Sequence, residues 1–361
     1  MRNRTAAVTL ALVALLAGAL PALAAANTPA ALDYLKTQQN ADGGFGSGFS
    51  PESTVASTAD AVEAIVAAGG DLSIFDQDGN TPLTYLSSNA SSAATAGDLS
   101  KLILAAIAAG ENPRSFGSVD SVAKLEALIG ANGRIGGDKD TFVSHILAVL
   151  ALASAQRPIP AAAVTLIKDA QQEDGGWAWD GTSATAADTN TTAFAVQALV
   201  AAGEPASGDA TTNALAYYKG IQNEDGGWPY QSPSDFGTAT DANSTAVTIQ
   251  AIIAAGQDPS GATWTTAAGN TPVSALESLQ NASGAFAWQA AVPDDNLLAT
   301  VQALPALAGK AFPLATLGVG AATAAPTTMP QTGGTVLNLA LPLILSGLAL
   351  AGGGYAIRRG R

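Results

Sequence analysis

The chain has 361 residues with no Cys, a single His and a formal charge of −14. That excludes disulfide scaffolding, thiol catalysis, thiolate-bound metal and multi-histidine metal centres. The 15 basic residues against 29 acidic ones argue against nucleic acid as a partner, because phosphate is bound by basic clusters.

Residues 1–26 open with Arg2 and Arg4 and run apolar from Ala6 to Leu20. They end in Pro21 and the small-residue strings Ala22-Leu23-Ala24 and Ala24-Ala25-Ala26. A basic start, an apolar core and a small-residue cut site form a secretory signal helix, cleaved after Ala24 or Ala26. The alternative is a short membrane anchor, for which the run falls below the ~20 residues of a span.

Residues 27–312 are repetitive. A cassette recurs at Gln39–Phe45, Gln171–Trp177, Gln222–Trp228 and Gln280–Phe286: Gln, three residues, Gly, one residue, an aromatic. Degenerate copies fit at Ile129–Ile135 and, by spacing alone, Ser88–Ala94, making six units. Before each cassette the spacing predicts a helix with one buried stripe: Ala31–Gln39, Leu83–Ser88, Val122–Ile129, Val164–Gln172, Ala214–Gln222 and Val273–Gln280. Thr81-Pro82 and Thr271-Pro272 place an N-cap and a first-turn proline at two of these. The cassette glycines are expected to end the helix. After each cassette comes an Ala-rich helix, such as Thr191–Ala202 or Thr245–Ala255, apolar nearly all round and so buried. Six outer and six inner helices can close into a double ring, which removes exposed ends. The expected fold is all-α, an α6/α6 toroid of six helix pairs.

The cassette resembles the QW motif of the squalene cyclase and prenyltransferase repeat superfamily, which implies an α/α toroid. The resemblance spans the whole 27–312 region, with four cassettes well formed. The family's chemistry does not carry over. The prenyltransferase zinc site needs a Cys. The nearest string to the cyclase Asp-x-Asp-Asp motif is Asp138-Lys139-Asp140-Thr141, and the thioester Cys-Gly-Glu-Gln motif is absent. The cobalamin carriers share the toroid but hold the corrinoid against a β domain that has no counterpart here. No cofactor and no resident metal are expected.

Candidate site residues lie where the six post-cassette loops gather at one mouth. Trp179, Tyr230 and Trp288 follow the cassette aromatics by two residues. They either face the mouth, where flat ligands could stack, or pack against the next unit. Asp188 and Asn190, Asp241 and Asn243, and Asp295 open the inner helices. They are either N-caps or a rim of oxygen donors for a polar ligand or a hard cation such as Ca²⁺. Gln197, Gln250 and Gln302 recur inside apolar helices, and Glu63 shares the offset of Gln197 from its terminal Gly. Each needs a partner, on a neighbouring helix or in a central cavity. His145 reads as a buried base or, more simply, as a structural histidine. The Asp76–Asn80 string departs from a calcium loop at Thr81 and Ser87.

Residues 313–332 are uncharged and rich in Ala, Thr and Pro, an extended stalk. Met329-Pro330-Gln331-Thr332-Gly333 follows, then an uncharged apolar stretch from Thr335 to Ile357, then Arg358, Arg359 and Arg361. The stretch is long enough for a transmembrane helix, placing 333–361 in the membrane with the arginines on the cytoplasmic side. This tail resembles a sortase cell-wall sorting signal, with Met329 where the motif usually has Leu. The resemblance implies cleavage between Thr332 and Gly333 and attachment to peptidoglycan through Thr332; a plain membrane anchor is the alternative. Without both end segments the body carries ten basic and 29 acidic residues, a surface that repels anionic polymers. The expectation is therefore an extracellular, anchored, monomeric binding protein without catalysis, with a corrinoid or a glycan as ligand. The alternatives are an enzyme acting through acidic residues on an isoprenoid or a polysaccharide, and a structural adhesin.

Overall fold

The computed structural model describes residues 26–235 and 237–317. The segments expected to be a secretory signal (1–26, all but Ala26), a sorting motif (329–333) and a membrane span (335–357) lie outside them. No helix among the described residues is long and apolar enough to cross a membrane.

Among the described residues twelve α-helices alternate outside and inside. The outer set is α1 (Thr28–Gln38), α3 (Pro82–Asn89), α5 (Ser121–Glu126), α7 (Ala161–Asp169), α9 (Asp209–Ile221) and α11 (Pro272–Glu277). The inner set is α2 (Val55–Ala67), α4 (Ala96–Ala108), α6 (Phe142–Ser154), α8 (Thr189–Ala201), α10 (Ala242–Ala254) and α12 (Leu297–Leu307). Each inner helix packs on the next, and α12 packs back on α2, so the ring is closed.

The inner helices form because their apolar residues cover nearly every face and each start is capped. Thr54, Thr95, Thr141, Asp188, Asp241 and Asn296 each accept the backbone N–H three residues on. A cap of this kind is worth roughly 1 kcal/mol. Thr81 and Thr271 cap their outer helices as the Thr-Pro strings predict, each in a capping box.

Three expectations need correction. The outer helices stop at or before the cassette Gln, not at the glycines: Gln39 and Gln222 are already extended, and the glycines shape the turn that follows. The degenerate Ser88–Ala94 copy is no cassette but a 3-10 turn over Ala90–Ser92 that leads directly to α4. The body also contains a two-stranded antiparallel hairpin, β1 (Phe286–Gln289) and β2 (Val292–Asn296). There the sixth cassette runs on into strand pairing before α12.

Candidate functional site

The cassette side chains are structural. Trp177 and Trp228 are fully buried, and their indole Nε1–H groups donate to Ile167 O (2.6 Å) and Tyr218 O (2.8 Å) on the preceding outer helix. The backbone N–H of each cassette aromatic donates to a hydroxyl four residues beyond the next N-cap: Phe45 to Thr58, Trp177 to Thr192, Trp228 to Thr245 and Phe286 to Thr300. In the third unit His145 replaces the threonine. Its Nδ1 accepts from Ile135 N–H (3.0 Å), and its Nε2 faces Ala163 O (3.0 Å). An acceptor at Nδ1 and a carbonyl at Nε2 together define the neutral Nε2–H tautomer. Burial, the largest cause, lowers its pKa to about 4. This lone histidine is a beam, not a base.

The cassette glutamines staple successive units. Gln171 Nε2 donates to Gly175 O within its own turn and to Ala210 O on α9 (both 2.8 Å). Gln222 does the same with Gly226 O and Trp264 O. Gln280 closes the ring: its Nε2 donates to Asn27 O (3.0 Å), and its Oε1 accepts from Asn27 N–H (2.6 Å).

The other predicted residues divide by depth. Trp179, Tyr230 and Trp288 are half-buried, and Trp179 packs on the core. Asp188 and Asp241 do not form an open rim. They are buried N-caps, accepting from Thr191 N–H and Ser244 N–H (2.7 Å each). Burial dominates their environment and raises both carboxyls to about 7, while the cap donors, and the Tyr230 hydroxyl at Asp188, pull the other way. Asn190, Asn243, Gln197 and Gln250 are buried inside the ring. Asn243 Nδ2 donates to Gln302 Oε1 (2.6 Å) on the neighbouring helix. Among the described residues neither amide atom of Gln250 has a partner, and Asn190 Oδ1, Gln302 Nε2 and Glu63 Oε1 also lack one. Asp295 alone of the predicted set is exposed.

The open space lies where the sixth unit meets the first. A cleft of about 360 Å³ is lined by Tyr34, Gln38 and Asn40 from α1 and the loop after it, by Phe49 in the loop before α2, and by Asp295 and Asn296 at the end of β2, where the chain enters α12. Phe49 is 62% exposed. Asp295 Oδ1 accepts from Asn281 Nδ2 and Ser283 Oγ (2.8 Å each), which holds the carboxylate in place. Gly46 and Leu297 are shared with a second cleft of about 210 Å³ that leads inward past Ser57, Asp60 and Lys101. There Lys101 Nζ stands 3.1 Å from Asp60 Oδ2, joining α4 to α2. One turn deeper on α2 is Glu63, 1% exposed. Burial first, then the nearby Asp60, hold its carboxyl well above the usual range, with Lys101 opposing. Glu63 therefore holds its proton more tightly than a solvated carboxyl. Sequence reasoning singled out Glu63 and Asp295 but missed Tyr34, Phe49, Asp60 and Lys101. Tyr34 and Phe49 belong to the first unit and meet Asp295 only by closure, so no local pattern marks them. Among the described residues no cluster of three or more acidic or histidine side chains is arranged to hold a metal.

Residues 138–292 match the family model for the squalene-hopene cyclase C-terminal domain, and residues 2–141 match that for the prenyltransferase alpha-alpha toroid domain. The chain carries the α/α toroid fold. Among solved structures, the type II terpene cyclase MstE from Scytonema is similar at 14% identity and a TM-score of 0.54, over 78% of this chain and 96% of that one. A protein from Actinoplanes is similar at 16% identity and a TM-score of 0.55, over 78% and 98%. A glycosidase variant is similar at 14% identity and a TM-score of 0.51, over 78% and 95%. At these identities the toroid likeness is one of fold, and fold does not carry activity. No curated protein matches the chain.

Proposed function

We propose that this toroid is a surface-displayed, non-catalytic binding module that captures a neutral glycan in the cleft between its first and sixth units. The observation that carries the reading is the lining of that cleft. An exposed aromatic face, Phe49, and a half-buried one, Tyr34, stand beside the hydrogen-bonding groups of Gln38, Asn40, Asp295 and Asn296. Sugars offer just this pairing, C–H faces that stack on rings and hydroxyls that bond amides and carboxylates. The acidic body favours a neutral chain over an anionic one. Absence of the family's zinc, Asp-x-Asp-Asp and thioester motifs supports binding without turnover. Export through residues 1–26, and attachment to the wall at Thr332 by a sortase or retention by the 333–361 segment, complete the proposal. They rest on the sequence signals alone.

Titration calorimetry against neutral oligosaccharides, anionic polysaccharides and corrinoids tests it. Saturable binding of a neutral glycan is expected, weakened roughly tenfold or more by Phe49→Ala, a loss of about 1.4 kcal/mol, with the melting temperature unchanged. Binding that is confined to corrinoids or absent throughout would sink the reading. A second reading, an enzyme using Glu63 as its acid, is favoured by the burial that raises the Glu63 carboxyl above the ordinary carboxylate range, next to the Asp60–Lys101 pair. Product release from the same ligands, lost in Glu63→Gln, would establish it instead.

A further inference from the structure

The chain does not leave the barrel when α12 ends. Residues 310–317 turn under the ring and cross it. Phe312 N–H donates to Gln197 Oε1 on α8 (2.8 Å), Leu317 N–H to Ser154 O on α6 (2.9 Å), and Ser154 Oγ to Ala315 O (2.6 Å). In ring order α6 lies opposite α12, so the segment spans the full width. Residues 311–314 are buried. The sequence-based boundary at 312 is thus too early, since the first residues assigned to the stalk are barrel contents.

The inner helices are shaped to receive this segment. On α2 the positions Ala56, Asp60, Glu63 and Ala67 follow helical spacing along one face, and the first two line the inward cleft. The position of Ala67 is held by Ala108, Ser154, Ala201 and Ala254 on the next four inner helices, every one small. Small side chains at this level leave an opening wide enough for a main chain. One turn above, the position of Glu63 is Gln197 on α8 and Gln250 on α10. Gln197 has both amide atoms engaged, Nε2 on Ala193 O (3.2 Å) and Oε1 on the Phe312 N–H. It reads backbone, not a side chain. Gln250 sits at the same level, fully buried, with both amide atoms unpartnered among the described residues. The base of the ring therefore holds spare donors and acceptors of the kind that bind main chain. The segment itself belongs to no helix or strand and is held by few hydrogen bonds, the marks of a unit that opens below the global unfolding free energy.

We propose that the base of the barrel is a binding site for an extended, uncharged peptide, filled by the chain's own residues 311–317 as a plug that opens without unfolding the ring. The site is distinct from the glycan cleft, which lies at the opposite, N-terminal end of the inner helices, and does not depend on that reading. Recognition is by main-chain hydrogen bonds at Gln197 and Ser154 and by burial of Phe312 and Leu314.

Native-state hydrogen exchange on the full-length protein tests the plug. Amides of 312–317 are expected to exchange at least tenfold faster than those in the middle of α8 and α10. Gln197→Leu, which deprives the Phe312 N–H of its acceptor, should speed them a further five- to tenfold and leave the inner-helix amides unchanged, whereas Gln250→Leu should not. For the site, Phe312→Asp is introduced to expel the segment in the full-length chain, and a synthetic peptide of residues 311–317, blocked at both ends, is then titrated in. Saturable binding with a rise in melting temperature is expected. Exchange of 312–317 only at the rate of global unfolding, or failure of the peptide to bind the Phe312→Asp protein, would overturn the proposal.

Discussion

His145 illustrates how one side chain takes over a structural task from another. Four units give the cassette N–H a threonine hydroxyl, and the third gives it an imidazole nitrogen. The imidazole accepts only while unprotonated, which ties stability to pH. With a folded pKa of about 4 against an ordinary 6.5, its contribution is fully present above pH 6.5 and lost as pH falls from 6.5 through 4. The loss amounts to about 3 kcal/mol at most. Asp188 and Asp241, raised to about 7, act in the opposite sense: their contribution is present below pH 3.8 and lost as pH rises toward 7. Urea denaturation of the protein and of His145→Thr, between pH 7 and 4.5, separates the two. The difference between the curves should shrink as the solution is acidified, because the variant lacks the acid-sensitive group. A difference that does not change with pH would show that His145 does not titrate in this range.

At the scale of elements, the repeat joins helix to helix through turns whose glycines do different work. Gly284 has φ +91° and lies against the first outer helix, so that a Cβ would stand 2.2 Å from Ala30 O. Gly256, which follows α10, has φ +73° with nothing within 4 Å of its Cβ position. Gly256→Ala should cost only the left-handed backbone strain, roughly 1–2 kcal/mol. Gly284→Ala must also push α1 away from the sixth cassette, and should lower stability by at least about 2 kcal/mol more, in the range of overpacking. Thermal denaturation of the two variants makes the comparison. Equal losses would mean that the closing junction yields at no cost.

For the whole molecule the decisive event is closure. Gln222 and Gln280 make the same kind of staple, but only the Gln280 staple joins chain segments about 250 residues apart. Gln280→Ala should therefore loosen α1 selectively, seen as faster hydrogen exchange in α1 with α8 and α10 still protected. Closure also creates the cleft, by bringing Tyr34 and Phe49 to Asp295. The plug carries the same lesson, since residues 313–317 open the uncharged stretch read as an exposed stalk. The plug's first residues, 311–314, are buried against the inner helices, with Phe312 N–H on Gln197.

The helix pairing, the N-caps at Asp188 and Asp241 and the toroid itself were legible in the amino-acid order. Each of these rests on periodicity or on contacts a few residues apart, which spacing encodes directly. The tertiary structure alone decided where the opening lies, that Glu63 is desolvated, and that residues 311–317 cross the base. These depend on which distant side chains a closed ring brings face to face and on how much water that leaves between them, and neither quantity is local in the chain.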